Sequence, residues 1–332
     1  MAEETNKNQI VYLKNNSLAK VSSTLTLTNK LLQEIENRNT LLGNDLRVSI
    51  PDIKFQKYLT DTFAIVITDN SVAYVDIKHI ERIDCSSDCE DEDEYYKSLE
   101  GIQHFKALIE LNCSVNQITD LDVSQNSALT HLNCRDNQLT DLDLSKNRAL
   151  TNLACSENQL TNLNISQNSA LTELDCRDNQ LTELDVSKNM TLTFLGCSEN
   201  QLSHLDVSKN TALTYLGCWD NQITDLDVSK NTALTILYCS ENKLTDIDVS
   251  QNIALTLLNC SENQLTNLDV SQNTDLTSLK CWGNQITDLD VSQNTEMNNL
   301  ACSDNQITDL DVSQNTALKD DFIVDKSVKI YR

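Results

Sequence analysis

Ten cysteines recur at an unbroken interval of 21 residues: Cys113, Cys134, Cys155, Cys176, Cys197, Cys218, Cys239, Cys260, Cys281 and Cys302. Thiols can pair as disulfides, ligate zinc or act as nucleophiles. A disulfide framework has no need of a constant interval. Zinc sites combine close pairs of Cys or His, and Cys85 with Cys89 has no second cysteine pair and no histidine pair to complete one. The four histidines, His79, His104, His131 and His204, are not spaced as a metal pair. There is no phosphate-binding glycine loop and no nucleophile elbow. Acidic residues are abundant, but they lie in repeated rows and not as one pair in a cleft. The sequence therefore indicates no catalytic residues, no metal ligands and no cofactor, and the chain reads as a protein that is not an enzyme.

A fixed interval is what a solenoid requires, since each turn presents the same inward atom at the same place. Aligned on the cysteines, the unit reads L-x-x-L-x-C-x-x-N-Q-L-T-x-L-D-V-S-x-N-x-A, and ten copies run from Leu108 to Ala317. With Leu108 as position 1, apolar residues occupy positions 1, 4, 6, 11, 14 and 16, in the first copy Leu108, Leu111, Cys113, Ile118, Leu121 and Val123. The spacings L-x-C and L-x-V have the period of two expected of short strands with one buried face. One unit cannot bury that face alone, but a stack of units can. At about 4.8 Å per strand, ten coils predict a rod roughly 50 Å long.

Asparagine is invariant at position 9, Asn116 to Asn305, and at position 19, Asn126 to Asn315. It tolerates tight bends and can bond nearby peptide groups, in a stack also those of the coils above and below. Serine is invariant at position 17, Ser124 to Ser313, and is expected to serve the second turn.

L-x-x-L-x-C-x-x-N-Q-L resembles the leucine-rich-repeat signature, with Cys in a core position, and L-T-x-L-D-V-S-x-N resembles a second signature nested in the same unit. The doubled 21-residue form is similar to repeats in many proteins of the Bacteroidetes and related bacteria. The resemblance covers about two thirds of the chain. It implies a leucine-rich-repeat solenoid, mainly β, with short parallel strands stacked in a right-handed superhelix and a small, partly helical N-terminal cap. It also implies a binding surface, without naming the ligand.

Four segments follow. Residues 1–43 read as a tether or docking segment, with a short strand at 10–13 and a helix at 28–38. Residues 44–107 read as the N-terminal cap, with a degenerate coil from Ile80, Ile83 and Cys85, and an acidic loop at 88–94 that most simply is solvated. Residues 108–317 are the ten repeats, and residues 318–332 a C-terminal cap. Ile50 to Leu59 is similar to a helical cap opening seen before such repeats, where a calcium loop of EF-hand type often follows. Here Phe63, Ala64, Ile65, Val66 and Ile67 occupy the places of early oxygen ligands, so the cap is expected to pack by apolar contact and to have lost calcium.

The chain carries a formal net charge of −25, with 50 acidic and 25 basic residues. That disfavours nucleic acid and anionic membrane surfaces as partners. No apolar run is long enough to span a bilayer. The polar first residues lack the pattern of a secretory signal, and twelve cysteines suit a reducing compartment; the expected location is cytoplasmic, or the cell surface or exterior if a signal has been removed.

Two outward surfaces differ. Position 15 is Asp in nine copies, with Asn164 the exception, and position 13 is acidic in seven: a solubility device belonging to the repeat, or an electrostatic stripe for basic partners or divalent cations. Positions 3, 5 and 7 of the first strand vary. Four consecutive coils place Phe194, Tyr215, Ile236 and Leu257 at position 3; Tyr238 stands at position 5, and Trp219 and Trp282 at position 7. Gly196 and Gly217 leave space beside Phe194 and Tyr215. In register, these seven large groups form one patch, and exposed aromatic patches mark interaction sites. Drift among good strand formers at an exposed sheet position is the plainer alternative. The expected function is a protein-protein interaction module binding a protein or peptide ligand on this face, with the acidic field favouring a basic one. A carbohydrate or cell-surface adhesin, and a sensor or adaptor of an intracellular bacterial effector system, stand as alternatives.

Overall fold

The structure, a computed structural model, describes residues 46–87, 95–318 and 322–332. The expected elements at 10–13 and 28–38 and the acidic loop at 88–94 lie outside the described residues.

The chain opens with β1 (Arg47–Ser49), helix α1 (Ile53–Phe63), β2 (Ser71–Ala73) and the short helix α2 (Tyr74–Ile77). Asp52 starts α1, its Oδ1 accepting the N–H groups of Lys54 and Phe55 at 2.9 and 3.0 Å, which satisfies two of the orphan donors of a helix start. Ala64 ends it in the left-handed conformation. One face of α1 buries Phe55 and Leu59, and Phe55 meets Phe105 at 6.2 Å between ring centres. Within the segment compared with a calcium loop, Ile65 is buried while Val66 is exposed.

From β3 (Arg82–Asp84) onward the chain coils. One strand per coil follows: β4 (Glu110–Asn112), β5 (His131–Asn133), β6 (Asn152–Ala154), β7 (Glu173–Asp175), β8 (Phe194–Gly196), β9 (Tyr215–Gly217), β10 (Ile236–Tyr238), β11 (Leu257–Asn259), β12 (Ser278–Lys280) and β13 (Asn299–Ala301). They form one eleven-stranded sheet in sequence order, every pair parallel, with each residue opposite its equivalent in the next coil. The middle residue of each strand points inward. In the fifth coil Leu192, Leu195, Cys197, Leu202 and Val207 are all 0% exposed and Leu205 2%, so the six apolar positions close on one continuous interior.

The second half of the unit departs from expectation. Positions 13 to 16 form no strand in the first nine coils; only in the tenth do they, as β14 (Asp309–Asp311), paired with β15 (Lys329–Tyr331). The backbone ladder between coils ends at position 10, as in Gln201 N–H to the Leu181 carbonyl at 2.8 Å. Beyond it the chain bends on local bonds. The Asp206 side chain accepts the Ser208 N–H at 2.9 Å, and the Asn210 N–H reaches the Val207 carbonyl at 2.9 Å. L-x-V is therefore an extended ledge whose apolar side chains are buried without strand pairing.

The asparagine side chains reach their own coil and the preceding one, and at position 9 the backbone N–H reaches the following coil, as Asn200 N–H does the Asp220 carbonyl at 3.2 Å. Asn200 Nδ2 donates to the carbonyls of Cys176, Cys197 and Ser198 at 3.1, 3.2 and 3.0 Å, and its Oδ1 accepts the Leu181 N–H at 2.9 Å. Asn189 donates to Ile165 and Asn168 carbonyls at 3.2 and 2.8 Å, both in the preceding coil, and its Oδ1 has no partner. At the far end, Ile323 pairs in parallel with Ala301 and β15 with β14.

Candidate functional site

The variable face is built by the outward residues of the first strand. Phe194, Tyr215, Ile236 and Leu257 are direct neighbours in register, which places their side chains in a row. Phe194 and Tyr215 stack at 4.4 Å between ring centres and 11° between planes. Tyr215 also meets Tyr238 at 5.9 Å and 57°. All seven side chains of the expected patch are partly exposed.

The two glycines shape this row. A Cβ on Gly217 would stand 3.0 Å from the Tyr215 hydroxyl, and one on Gly196 3.4 Å from Arg177 Cδ. Tyr215 thus lies over Gly217, and Arg177 over Gly196. Arg177 is held by a two-pronged bond to Asp175, Nε to Oδ1 at 2.8 Å and the terminal nitrogen to Oδ2 at 2.7 Å, geometry suited to a planar guanidinium. This bond pushes the Arg177 pKa up. Burial raises that of Tyr215, with Arg177 acting against it.

Not all seven residues converge. Trp219 follows β9 at position 7, whereas Trp282 lies three coils further on, roughly 14 Å away along the sheet. Ser240 and Ser261 stand between them in the column. Neither indole makes a ring contact among the described residues. The register aligns Phe194, Tyr215, Ile236 and Leu257, and Tyr238 meets the Tyr215 ring, while Trp219 stands two residues beyond β9 and Trp282 three coils further on.

Two further features border the row. The first is a groove of about 700 Å³ on the same face, running from β3 to Phe194. Position 5 lines it with short side chains, Asn112, Asn133 and Ala154, and position 3 with Glu110, His131, Asn152 and Glu173. The signal for it was the run of small side chains at position 5, readable only once the strands were in register. The second is a column of carboxylates at position 8: Asp136, Glu157, Asp178, Glu199, Asp220, Glu241, Glu262 and Asp304. All of them have left-handed backbone with φ between 50 and 55°. Burial raises the Glu199 pKa, and Asp178 and Asp220 add to it; Glu241 is raised by burial, then by Glu262 and Asp220. This column was legible as eight acidic residues in ten copies, a regularity hidden by the alternation of Asp with Glu.

The aspartates at position 15 have a local task. Each accepts the N–H of the invariant serine two residues on, as Asp227 does from Ser229 at 2.8 Å, and Asn164, the one exception, does the same for Ser166 at 3.1 Å. The uniformity of that row thus follows from the turn. Among the described residues no group of three His, Cys, Asp or Glu side chains could hold a metal ion.

The eleven described cysteines carry free, buried thiols. Burial pushes those of Cys134, Cys218 and Cys260 up to about 12, so they remain protonated and unreactive at neutral pH.

This coil, its asparagine columns and its thiol column define the class: the chain is a leucine-rich-repeat protein. Residues 211–252 match the family described as leucine-rich repeats in two copies. In particular, the chain is similar to the functional domain of InlJ from Listeria monocytogenes, which includes a cysteine ladder, with 39% identity over 86% of this chain and 63% of that one and a TM-score of 0.80. A leucine-rich-repeat protein from Leptospira interrogans is 26% identical over 69% of this chain and 63% of its own, with a TM-score of 0.64. The internalin InlF from Listeria monocytogenes, 22% identical over 86% of this chain and 98% of its own with a TM-score of 0.66, shares the fold. The chain spans less than two thirds of the length of the first two. No curated protein sequence matches it. Folds of this kind are generally protein-interaction modules. No helix among the described residues is long and apolar enough to cross a membrane.

Proposed function

We propose that this chain binds a protein or peptide ligand on the strand face of its middle coils, with no catalytic step. The observation that supports this reading is the row Phe194, Tyr215, Ile236 and Leu257, with Tyr238 and Trp219 beside it, partly exposed on coils whose other outward groups are mostly polar. Tyrosine and tryptophan supply large contact area at little cost in side-chain entropy, and they dominate binding energy at protein interfaces. Trp282 marks the outer limit of the contact.

The test replaces Tyr215, Trp219 and Tyr238 together with serine in the full chain, followed by capture of partners from the native cell. Loss of captured protein is expected. Undiminished capture by a folded triple variant refutes the patch. Asn in place of Asp206, Asp227 and Asp248 serves as the control, since it keeps the acceptor each turn needs, and it should leave capture intact. The proposed compartment is the cytoplasm, on the strength of the free thiols; labelling of the chain on intact native cells by an impermeant reagent would overturn that.

A further inference from the structure

The groove between β3 and Phe194 is continuous with the aromatic row, because Phe194 is at once its end wall and the partner of Tyr215 in the stack. Three features of its lining point to one kind of occupant. Its charged side chains are four carboxylates, Asp84, Glu110, Glu173 and Asp175, against one guanidinium, Arg82. Arg82 is taken by Glu110 at 3.2 Å, and Asp175 is held by Arg177. Asp84 and Glu173 have no cation partner among the described residues; they accept only from Ser86 and from Asn152, the latter at 2.7 Å.

At position 5, Asn112 and Asn133 spend their Oδ1 atoms on the N–H groups of Ser114 and Arg135, each at 3.2 Å. Their Nδ2 donors have no acceptor among the described residues. Amide donors of that kind fit the carbonyls of a main chain. Asp84 and Glu173 lie on β3 and β7, four coil steps apart, which is roughly 19 Å, the span of about six residues of extended chain.

We infer that the groove is the second half of the ligand site and holds an extended segment of the partner that carries Lys or Arg side chains near both ends. The position 5 amides bond its backbone, Asp84 and Glu173 take its cations, and Phe194 packs on the side chain that leads over to the aromatic row. Charge-assisted bonds of this type are the strong ones when solvent is partly excluded, and the acid field of the whole chain speeds the approach of a cationic segment. The inference rests on the reading of the strand face as protein-binding.

The test uses two capped synthetic peptides of eight residues, one with lysine at both ends of a leucine-serine middle, the other with glutamate in those places, titrated calorimetrically into the full chain. The lysine peptide is expected to bind and the glutamate peptide not. Ala154→Tyr should abolish binding by filling the groove, and it should fold, because position 5 already carries a tyrosine at Tyr238. Asp84→Asn with Glu173→Gln should weaken binding about tenfold, and Asn at Asp206, Asp227 and Asp248 should not. Equal binding of both peptides, or unchanged binding by Ala154→Tyr, overturns the inference, as does an equal loss from the outer aspartates, which would trace binding to net charge alone. If Ala154→Tyr abolishes binding while the Tyr215, Trp219 and Tyr238 variant still captures its partner, the aromatic row fails and the groove stands. The reverse pattern leaves the row and removes the groove.

Discussion

The hydroxyl of Tyr215 rests 3.0 Å from the point where a side chain on Gly217 would begin. The two residues share one strand, two positions apart, so they face outward together, and the glycine gives the ring a bed. The same ring is stacked on Phe194. A missing side chain in one place thus fixes the pose of an aromatic pair in another.

Gly217→Ala should disturb that pose without unfolding the rod. The backbone there needs no left-handed conformation, and the crowded atoms are the far end of a side chain that can move. Stability should change by about 1 kcal/mol, the centre of the range for single substitutions, while near-ultraviolet circular dichroism from the tyrosines shifts and partner capture weakens. An unchanged spectrum would show that the ring does not depend on the glycine.

The two asparagine columns should differ in what they contribute. Asn158 serves three carbonyls, of Cys134, Cys155 and Ser156, and the buried N–H of Leu139. Asn168 serves two carbonyls, of Leu144 and Asn147, and leaves its own oxygen unpartnered. Unmade bonds to buried groups cost about 1–3 kcal/mol each before relaxation, so Asn158→Ala should destabilise by about 3–4 kcal/mol and Asn168→Ala by about 2. Urea denaturation ranks them, and an inverted order would contradict this account.

Alkali should loosen the rod steeply. Burial raises the folded pKa of Cys134, Cys218 and Cys260 to about 12, whereas an unfolded thiol titrates near about 8.5. Below that lower value both states hold their protons and the contribution is complete. Between the two values the unfolded chain releases protons that the folded chain keeps, and stability falls by up to about 1.4 kcal/mol per pH unit for each such thiol. The urea midpoint should be steady from pH 7 to about 8 and drop sharply beyond about 9; a level midpoint up to pH 10 would be incompatible with a buried thiol column.

Asp52 should hold the N-terminal cap in two ways. Its Oδ1 caps α1, and its Oδ2 accepts the N–H groups of Lys97 and Ser98 at 3.1 and 3.3 Å. Asp52→Asn keeps the first and turns an amide donor against the second, while Asp52→Ala loses both. Hydrogen exchange should rise at residues 97 and 98 in both variants, and throughout α1 only in the alanine variant, at about 1–2 kcal/mol for the lost cap.

Much of this was legible in the sequence because it is written ten times. The inward row from Leu111 to Leu300, the thiol column and the neighbours of Phe194 all follow from the interval. Whether positions 13 to 16 pair as a strand is not legible, because apolar alternation reports burial and not pairing; the bond from Ser208 to Asp206 decides the backbone there. The groove is not legible in the sequence because it is made of what is missing, the short side chains of Asn112, Asn133 and Ala154 between larger neighbours. Trp282 shows the limit of a shared column, since sharing a position is not the same as being near.

The strand order of the sheet follows the order of the chain without a crossing, and this bears on how such a molecule can be inherited. A unit gained or lost by recombination between near-identical stretches of its gene would leave every remaining neighbour contact in kind. Rod length can therefore drift in steps of one coil, about 4.8 Å, while the coils around Tyr215 travel intact as a cassette.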